Sequence, residues 1–510
     1  MSFRLVETPL GSLPHLPAPA RGGGAASLPL GAFLPSASSA DILERLQQPG
    51  ALAVTTGQQP GLFGGPLYSV HKALSAAALA AELEAAWDRP VVPIFWLAGD
   101  DHDFAEAAAA AWLDETGSLV RHALRARLAG APSTPMWREL LGPDVLVAMD
   151  LLQRTLRDGP ARDAVLEWCA RHWRPEATVA GGFGAAMAEL LAPFGIACFD
   201  STHRVAKQAM APLLLQAAER ATELDSALVE REASLREAGG HPGVVVGDGA
   251  SLVMLDGPAG RDRLIPERDG WTLRRSGTHV TREALAKAAA GTPELLSPNV
   301  LLRPVVERAL LPTVAYVAGP GELRYLPLAM PLYDALGVPR QVPVPRWSGI
   351  IVEAQVDRVL QKFGASLEEL LADGAALERR VIREDLPPQA RAALESLRIQ
   401  GTRNFATLRS AAQDVDPTLV RAIEGLERRA NWAAERAERK LTGHLLRRRA
   451  VEMSQVGRAR TAVLPGGVGQ ERILGLPSFQ ARHGSALLPA VREAAGRWYA
   501  GQLEAAPARS

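Results

Sequence analysis

The chain has 510 residues, of which 47% are hydrophobic and 22% charged, as in a globular protein of two or three domains. Lys and Arg together number 56, as do Asp and Glu, so the net charge gives no reason to expect nucleic acid or a membrane as partner. The two cysteines lack C-x-x-C spacing, and the N-terminus lacks a basic segment followed by an apolar one. We therefore expect a cytoplasmic protein that acts on small molecules.

A loop rich in glycine and glutamine follows the first strand-like run, residues 51–54, and precedes a helix-forming stretch at residues 73–83. Between a strand and a helix, such a loop brings backbone N–H groups to an anion at the positive helix end. It matches neither G-x-G-x-x-G nor G-x-x-x-x-G-K-[ST], which disfavours dehydrogenases and P-loop proteins. We predict a ligand-binding loop, whose candidate residues are Gly57, Gln58, Gln59, Gly61, Gly64 and Tyr68.

Lys72 lies on the second turn of the helix that follows this loop. From there it could reach a phosphate or carboxylate at the helix start, but a solvated lysine is an equally good interpretation. His71 has the same two interpretations. We retain Lys72 as a candidate binding residue.

The second candidate cluster is Asp100-Asp101-His102-Asp103, directly after the apolar run 91–97. In open α/β sheets, ligands bind at the carboxyl ends of strands, which favours a functional site here. Three carboxylates around an imidazole can hold a metal, orient a general base or bind an ammonium group. A helix N-cap with acidic residues in its first turn is the alternative. A zinc site is disfavoured by the ligand spacing.

Strand-like and helical stretches alternate from residue 52 to about residue 210, which predicts a parallel sheet. Between residues 244 and 273 the pattern changes to short β-type runs at 244–246, 251–255 and 271–273, separated by Gly, Asp and Pro. This change indicates an antiparallel insertion. The strand-like run 310–317 then resumes the α/β pattern.

A third group of polar residues lies at the ends of the segments 295–306 and 311–321: Asn299, Arg303, Gly319, Gly321, Glu322 and Tyr325. A tight turn with a capping glutamate is the alternative interpretation of its Gly-Pro-Gly-Glu run. All three loops follow strand-like segments, so we expect them at one edge of one sheet. In that arrangement Gly57 and Gly61 would hold an anionic group, while Asp101 and His102 would orient an amine or take its proton.

Residues 352–463 are predominantly helical in pattern. Apolar residues at 3-to-4 spacing cover 394–411 and 419–437, with Asp416-Pro417 as the predicted N-cap and first position of the second helix. These two helices predict an antiparallel helical hairpin. The spacing of their apolar residues suits a dimerisation arm and a hairpin packed on itself equally well. The arginines between residues 428 and 449 suit a solvated face or, as a second choice, a polyphosphate site.

Several motifs together resemble one family: TGQQPGLFGGPLY at 56–68, FWLAGDDHDF at 95–104, LSPNV at 296–300 with Arg303-Pro304, AGPGE at 318–322, and Gln470-Glu471-Arg472. They resemble the bacillithiol biosynthesis cysteine-adding enzymes, the cysteine ligase family BshC. The resemblance implies an α/β fold: a Rossmann-like parallel-sheet core, similar to class I nucleotidyltransferases, with connecting-peptide insertions and a helical coiled-coil domain that mediates homodimerisation. The implied reaction joins the carboxyl group of cysteine to the amine of glucosaminyl-malate.

The resemblance gives domain expectations: a core over 1–350 with insertions at about 115–180 and about 220–295, a helical arm over 351–465, and a return to the core over 466–510. Gly99-Asp100 replaces a Ser-Glu pair common in the family, so Asp101, His102 and Asp103 are the expected catalytic residues. Amide formation needs an activated acyl group, for which ATP or another adenine nucleotide is the natural candidate, and no metal is assigned. The alternatives are a synthetase of the same fold for another carboxylate and a non-catalytic nucleotide-binding scaffold.

Overall fold

The computed structural model describes residues 3–19, 28–372 and 376–505. The chain divides into two compact units: Leu5–Ile351 with Gly469–Ser510, and Val352–Val468 with Met1–Arg4. We call the first the core unit and the second the arm unit. The described residues contain fourteen strands, in chain order β1 (Phe3–Glu7), β2 (Leu52–Gln58), β3 (Val91–Leu97), β4 (Ala109–Leu113), β5 (Leu119–Ala123), β6 (Ala197–Asp200), β7 (Val253–Gly257), β8 (Gly260–Glu267), β9 (Gly270–Leu273), β10 (His279–Thr281), β11 (Leu296–Pro298), β12 (Thr313–Ala318), β13 (Val342–Pro345) and β14 (Gly349–Glu353).

Helices connect and cover these strands. Those of the core unit within the described residues are α1 (Ser39–Gln47), α2 (Leu67–Trp87), α3 (Phe104–Ala107), α4 (Asp144–Thr155), α5 (Arg162–His172), α6 (Val179–Leu191), α7 (Arg204–Glu219), α8 (Ala221–Glu237), α9 (Arg282–Gly291), α10 (Arg303–Leu310), α11 (Pro320–Tyr325) and α12 (Met330–Ala335). The arm unit contributes α13 (Ala354–Lys362), α14 (Leu367–Leu371), α15 (Ala376–Glu384), α16 (Pro388–Val415), α17 (Leu419–Arg448) and α18 (Ala450–Val463). After it come α19 (Gln470–Ile473), α20 (Pro477–His483) and α21 (Leu487–Ala505).

The core unit is built on a five-stranded parallel sheet with the strand order β13-β12-β2-β3-β6. β3 is buried along its whole length and β2 up to its last residue, as expected for central strands covered by helices on both faces. The prediction of a parallel sheet is therefore confirmed. Because all five strands run the same way, the ends of β2, β3 and β12 lie at one edge of the sheet.

The end of β2 differs from the prediction. The sequence pattern predicts a strand-like run at residues 51–54, but β2 continues through Gly57 and Gln58, which pair with Trp96 and Leu97 of β3. Thr56 is buried, and its hydroxyl donates to the carbonyl of Val317 at 2.8 Å. Pairing with β3 thus overrides the weak strand propensity of Gly57 and Gln58.

The second sheet is antiparallel, with the order β10-β9-β8-β7-β11. It includes most of the predicted runs at 251–255 and 271–273. The prediction of a strand at 244–246 is wrong. Gly243 and Gly247 flank that run with φ of +73° and +78°, and Val245 is 77% exposed, so the segment pairs with no strand in the described structure.

The arm unit contains the predicted hairpin, formed by α16 and α17. Arg409 pairs with Glu427 near the turn, and Arg398 with Glu438 farther along at 2.5 Å, so the two helices are antiparallel. Its turn differs from the prediction: α17 begins at Leu419 after Thr418, and the Asp416 carboxylate accepts from the Thr418 N–H at 2.8 Å. Asp416 thus fixes the turn from outside the helix.

After the arm, the chain lies against the core unit again. Leu67 N–H donates to the Leu474 carbonyl at 2.9 Å, and Gly475 N–H to the Ala111 carbonyl at 2.8 Å. The last five residues of the predicted C-terminal segment, 506–510, lie outside the described residues. In the part of the chain that is described, no helix is long and apolar enough to cross a lipid bilayer.

Candidate active site

A cavity of about 500 Å³ lies at the carboxyl edge of β2, β3 and β12. We call it the first cavity. It brings together twelve of the residues singled out from the sequence: Gly57, Gln58, Gln59, Tyr68, Lys72, Asp101, Asn299, Arg303, Gly319, Gly321, Glu322 and Tyr325. The three loops expected at one sheet edge thus line a single space, as parallel strand ends allow.

Four other candidate residues, Gly61, Gly64, His102 and Asp103, are not among those that line the first cavity. The two glycines shape the loop. A Cβ on Gly61 would lie 2.7 Å from the Cα of Gly65, and Gly64 has φ +90°. Gly61 lines a neighbouring cavity instead. Glycine at both positions is therefore required for the close approach and the left-handed turn.

Phe63 anchors the glycine loop. It is 1% exposed and makes edge-to-face contacts with Trp112 and Trp173, at ring-centroid distances of 6.3 and 5.7 Å. Its φ of +52° is unusual for a bulky residue, so aromatic packing offsets the backbone strain. The glycine loop is therefore anchored at its centre by aromatic packing.

Lys72 is the centre of a buried polar network on the cavity wall. Its Nζ donates to Glu322 Oε2 and Oε1 at 2.7 and 2.9 Å, and also to the Gly57 carbonyl. Tyr316 completes the network, since its hydroxyl donates to Glu322 at 2.6 Å and accepts from the Gly57 N–H at 3.1 Å. Lys72 is only 2% exposed, so the interpretation as a solvated lysine is wrong.

Glu322 has two structural roles. Its carboxylate accepts from the Gly319 N–H at 2.7 Å and so caps α11, which agrees with the alternative interpretation of the Gly-Pro-Gly-Glu run as a turn with a capping glutamate. The same carboxylate also pairs with Lys72. Burial opposes ionisation of Glu322, but the Lys72 ammonium and the Gly319 and Tyr316 donors together hold its pKa below the usual value. The cavity wall thus carries a fixed carboxylate.

Arg303 is held by a second buried carboxylate. Its Nη1 donates to Glu307 at 2.7 Å, and its guanidinium lies 4.8 Å from the ring centre of Tyr316. Glu307 is completely buried and also accepts from the Thr55 hydroxyl. Arg303 is therefore positioned both by a charge partner and by an aromatic face.

A third buried group links the C-terminal segment to the cavity. Arg346, which lines the cavity and is 2% exposed, donates to both carboxylate oxygens of Glu471. His71 Nδ1 lies 2.9 Å from Glu471, and burial lowers the pKa of this histidine, so the neutral ring donates. Sequence reasoning did not select Arg346 or assign Glu471 a role, because 125 residues separate them.

The acidic loop after β3 is held mainly by its own backbone. Asp101 accepts from the N–H groups of His102 and Asp103 at 2.5 and 3.0 Å, and from the Gln59 amide of the glycine loop. Asp103 caps α3 by accepting from the Glu106 N–H at 3.1 Å, which is the helix-cap alternative. Asp101 thus faces the cavity while Asp103 is exposed.

His102 lies within this acidic loop. Its Nδ1 is 3.9 Å from Asp101 Oδ1, and this nitrogen has no hydrogen-bond partner among the described residues. Burial lowers the pKa of His102, and the positive charge of Arg261 lowers it further. The imidazole is therefore neutral at pH 7 and can accept a proton.

The first cavity is lined by more positive than negative side chains. Lys207, a fully buried residue that sequence reasoning missed, pairs with both oxygens of Asp100 at 2.6 and 2.8 Å. In the described structure Arg261, Arg324 and Arg472 line the cavity but form no ion pair with a carboxylate. Three arginines without carboxylate partners favour an anionic ligand. No cluster of His, Cys, Asp and Glu suited to a metal ion occurs in the described ranges.

The fold and the cavity together define a Rossmann-like protein with a cavity lined by cationic side chains at the carboxyl edge of its parallel sheet. Two family models match the chain: "Bacillithiol biosynthesis BshC, N-terminal Rossmann-like domain" over residues 32–347 and "Bacillithiol biosynthesis BshC, C-terminal coiled-coil domain" over residues 349–495. The chain belongs to the BshC family of bacillithiol biosynthesis proteins.

Curated relatives cover most of the chain. A protein of Koribacter versatilis named "Putative cysteine ligase BshC" is 33% identical over 459 residues, which is 89% of this chain and 84% of the relative. A protein of the same name from Solibacter usitatus is 31% identical, with 87% and 82% of the two chains covered. A third, from Heliobacterium modesticaldum, is 30% identical and covers 90% of this chain and 84% of its own.

Proposed function

We propose that this protein is a ligase that forms an amide between the carboxyl group of cysteine and the amine of glucosaminyl-malate, the last step of bacillithiol biosynthesis. The observation that carries the proposal is the match of both BshC domains, with relatives named as cysteine ligases over most of the chain. We also propose a cytoplasmic location, where such a biosynthetic enzyme would act.

The first cavity supports the proposal through its charge. A malate group carries carboxylates, and Arg261, Arg324 and Arg472 are cations that line the cavity without a carboxylate partner in the described structure. Asp101 lines the cavity and is our candidate to orient an amine, and the neutral ring of His102 next to it is our candidate to accept the amine proton. Catalytic roles for Asp101, His102 and Asp103 remain predictions, and Asp103 has the weakest support because it caps α3.

Joining a carboxylate to an ammonium group releases water and is unfavourable in aqueous solution, so an activating co-substrate must supply the energy. ATP or another adenine nucleotide is our proposed activator. The arginines without carboxylate partners fit its phosphates as well as they fit carboxylates. When bound, such a nucleotide would supply a leaving group for the cysteine carboxyl.

Mass spectrometry after incubation with cysteine and glucosaminyl-malate, with and without ATP, tests the function. We expect a product whose mass equals that of the two substrates minus one water, formed only with the nucleotide. Product from another carboxylate but not from cysteine would instead indicate a synthetase of different specificity. Nucleotide binding without any product would indicate a non-catalytic scaffold.

We also propose that the arm unit mediates homodimerisation. Its helices expose large apolar side chains, among them Leu397 at 58%, Leu426 at 50% and Trp432 at 55% exposure. Burying such residues against a second copy would remove them from water. Sedimentation velocity of the full chain should therefore give the mass of two chains, whereas a monomer at micromolar concentration would contradict this proposal.

A further inference from the structure

A second cavity, of about 540 Å³, adjoins the first. Four side chains line both and form a partition between them: Gln58, Gln59, Tyr68 and Arg472. The outer wall of the second cavity is formed by the hairpin of β4 and β5 together with the glycine loop. Two neighbouring spaces with a shared wall suit a reaction that joins two molecules.

The two cavities differ in chemistry. Six lysine or arginine side chains line the first: Lys72, Arg261, Arg303, Arg324, Arg346 and Arg472. The second has mainly small residues in its wall, Gly61, Gly65, Ala109, Ala110, Ala111 and Ala123, together with Arg121, His122 and Arg472. Its acidic residue is Glu106. The second cavity therefore has two lysine or arginine side chains where the first has six, and it is less suited to a polyanion than the first.

Glu106 and Arg472 carry opposite charges in this second cavity. Within the described ranges neither side chain forms an ion pair or a hydrogen bond. Burial and the nearby Asp103 and Asp101 charges raise the pKa of Glu106, while Arg472 lowers it, so the two charges interact across the space without contact. A carboxylate and a guanidinium separated in this way are complementary to the ammonium and carboxylate of one zwitterion.

We propose that the second cavity binds the amino-acid substrate as a zwitterion, with its ammonium at Glu106 and its carboxylate at Arg472. This rests on the proposed function, in which the amino acid is cysteine. In this site the small side chain of the bound cysteine lies among the alanines of β4. Because Arg472 belongs to the partition, the carboxyl carbon lies on the side where an amine held in the first cavity would attack it.

Ligands that lack one charge test each half of the site. 3-Mercaptopropionate lacks the ammonium group of cysteine, and cysteamine lacks its carboxylate. We expect the variant Glu106→Gln to weaken cysteine binding about 10-fold in calorimetry while 3-mercaptopropionate binds within about 2-fold of wild type. Arg472→Gln should weaken cysteine and 3-mercaptopropionate but leave cysteamine unchanged. Equal losses for all three ligands would overturn the proposal.

The matched control is Glu115→Gln, which removes an exposed glutamate from the turn of the same hairpin. It should leave all three affinities unchanged. In the ligase assay, Glu106→Gln should raise KM for cysteine about 10-fold and leave KM for glucosaminyl-malate unchanged. An unchanged KM for cysteine would overturn the amino-acid site while the ligase function stands. Conversely, Glu106-dependent cysteine binding without any product would support the site while the ligase function fails.

Discussion

Replacing Lys72 by methionine should lower the free energy of unfolding by about 3 kcal/mol, because it leaves the partly buried Glu322 carboxylate without its cation. The Lys72 side chain is 3% exposed and that of Glu322 19%, so solvent can replace little of the lost interaction. The Gly57 carbonyl also loses a donor. Urea unfolding followed by circular dichroism measures the change.

The double variant Lys72→Met/Glu322→Gln separates the charge pair from general packing. If the pair acts as a unit, the double variant should lose at least about 1 kcal/mol less than the two single variants together. Lys287→Met, at an exposed position of α9, serves as the control and should change stability by less than about 0.5 kcal/mol. A loss in Lys72→Met no larger than in this control would refute the structural role.

Glu471→Gln should destabilise the protein by about 3 kcal/mol at pH 7. Burial opposes ionisation of Glu471, but hydrogen bonds from His71 and Arg346 and the charge of Arg346 lower its pKa from 4.5 to about 2, a shift that corresponds to this energy. Because the folded pKa is the lower one, the stabilisation is complete above pH 4.5. It is lost as the pH falls toward about 2.

The stability difference between wild type and Glu471→Gln should therefore shrink from about 3 kcal/mol at pH 7 toward zero near pH 2. Urea midpoints across this range give the curve. Glu44→Gln, at an exposed position of α1, is the control and should show a small difference at every pH. A difference in Glu471→Gln that did not change between pH 4.5 and pH 2 would exclude the depressed pKa as its cause.

Much of the fold could be predicted from local patterns. Continuous apolar runs identified the buried strands β3 and β12 of the parallel sheet, and 3-to-4 spacing identified the α16–α17 hairpin. The meeting of the glycine loop with the loops after β3 and β12 followed from the rule that parallel strand ends share an edge. Local chemistry also gave a helix N-cap as one of two interpretations of residues 100–103, and the structure has this cap at Asp103.

The charge partners could not be predicted, because they are far apart in the sequence. Lys72 and Glu322 are 250 residues apart, and Asp100 and Lys207 are 107 apart. A lysine on a helix is usually solvated, so only the tertiary structure distinguishes a buried one. For the same reason Arg346 and Arg261 were missed, although both line the first cavity.

The position of Glu471 has a consequence for synthesis of the chain. Arg346 and His71 are buried around a carboxylate that the ribosome adds only after the whole arm, residues 352–468, has been made. Until then, the nascent core carries a buried guanidinium without its carboxylate, a costly arrangement. Domains generally fold from the N-terminus during synthesis, but this core reaches its final form only after the arm has been made.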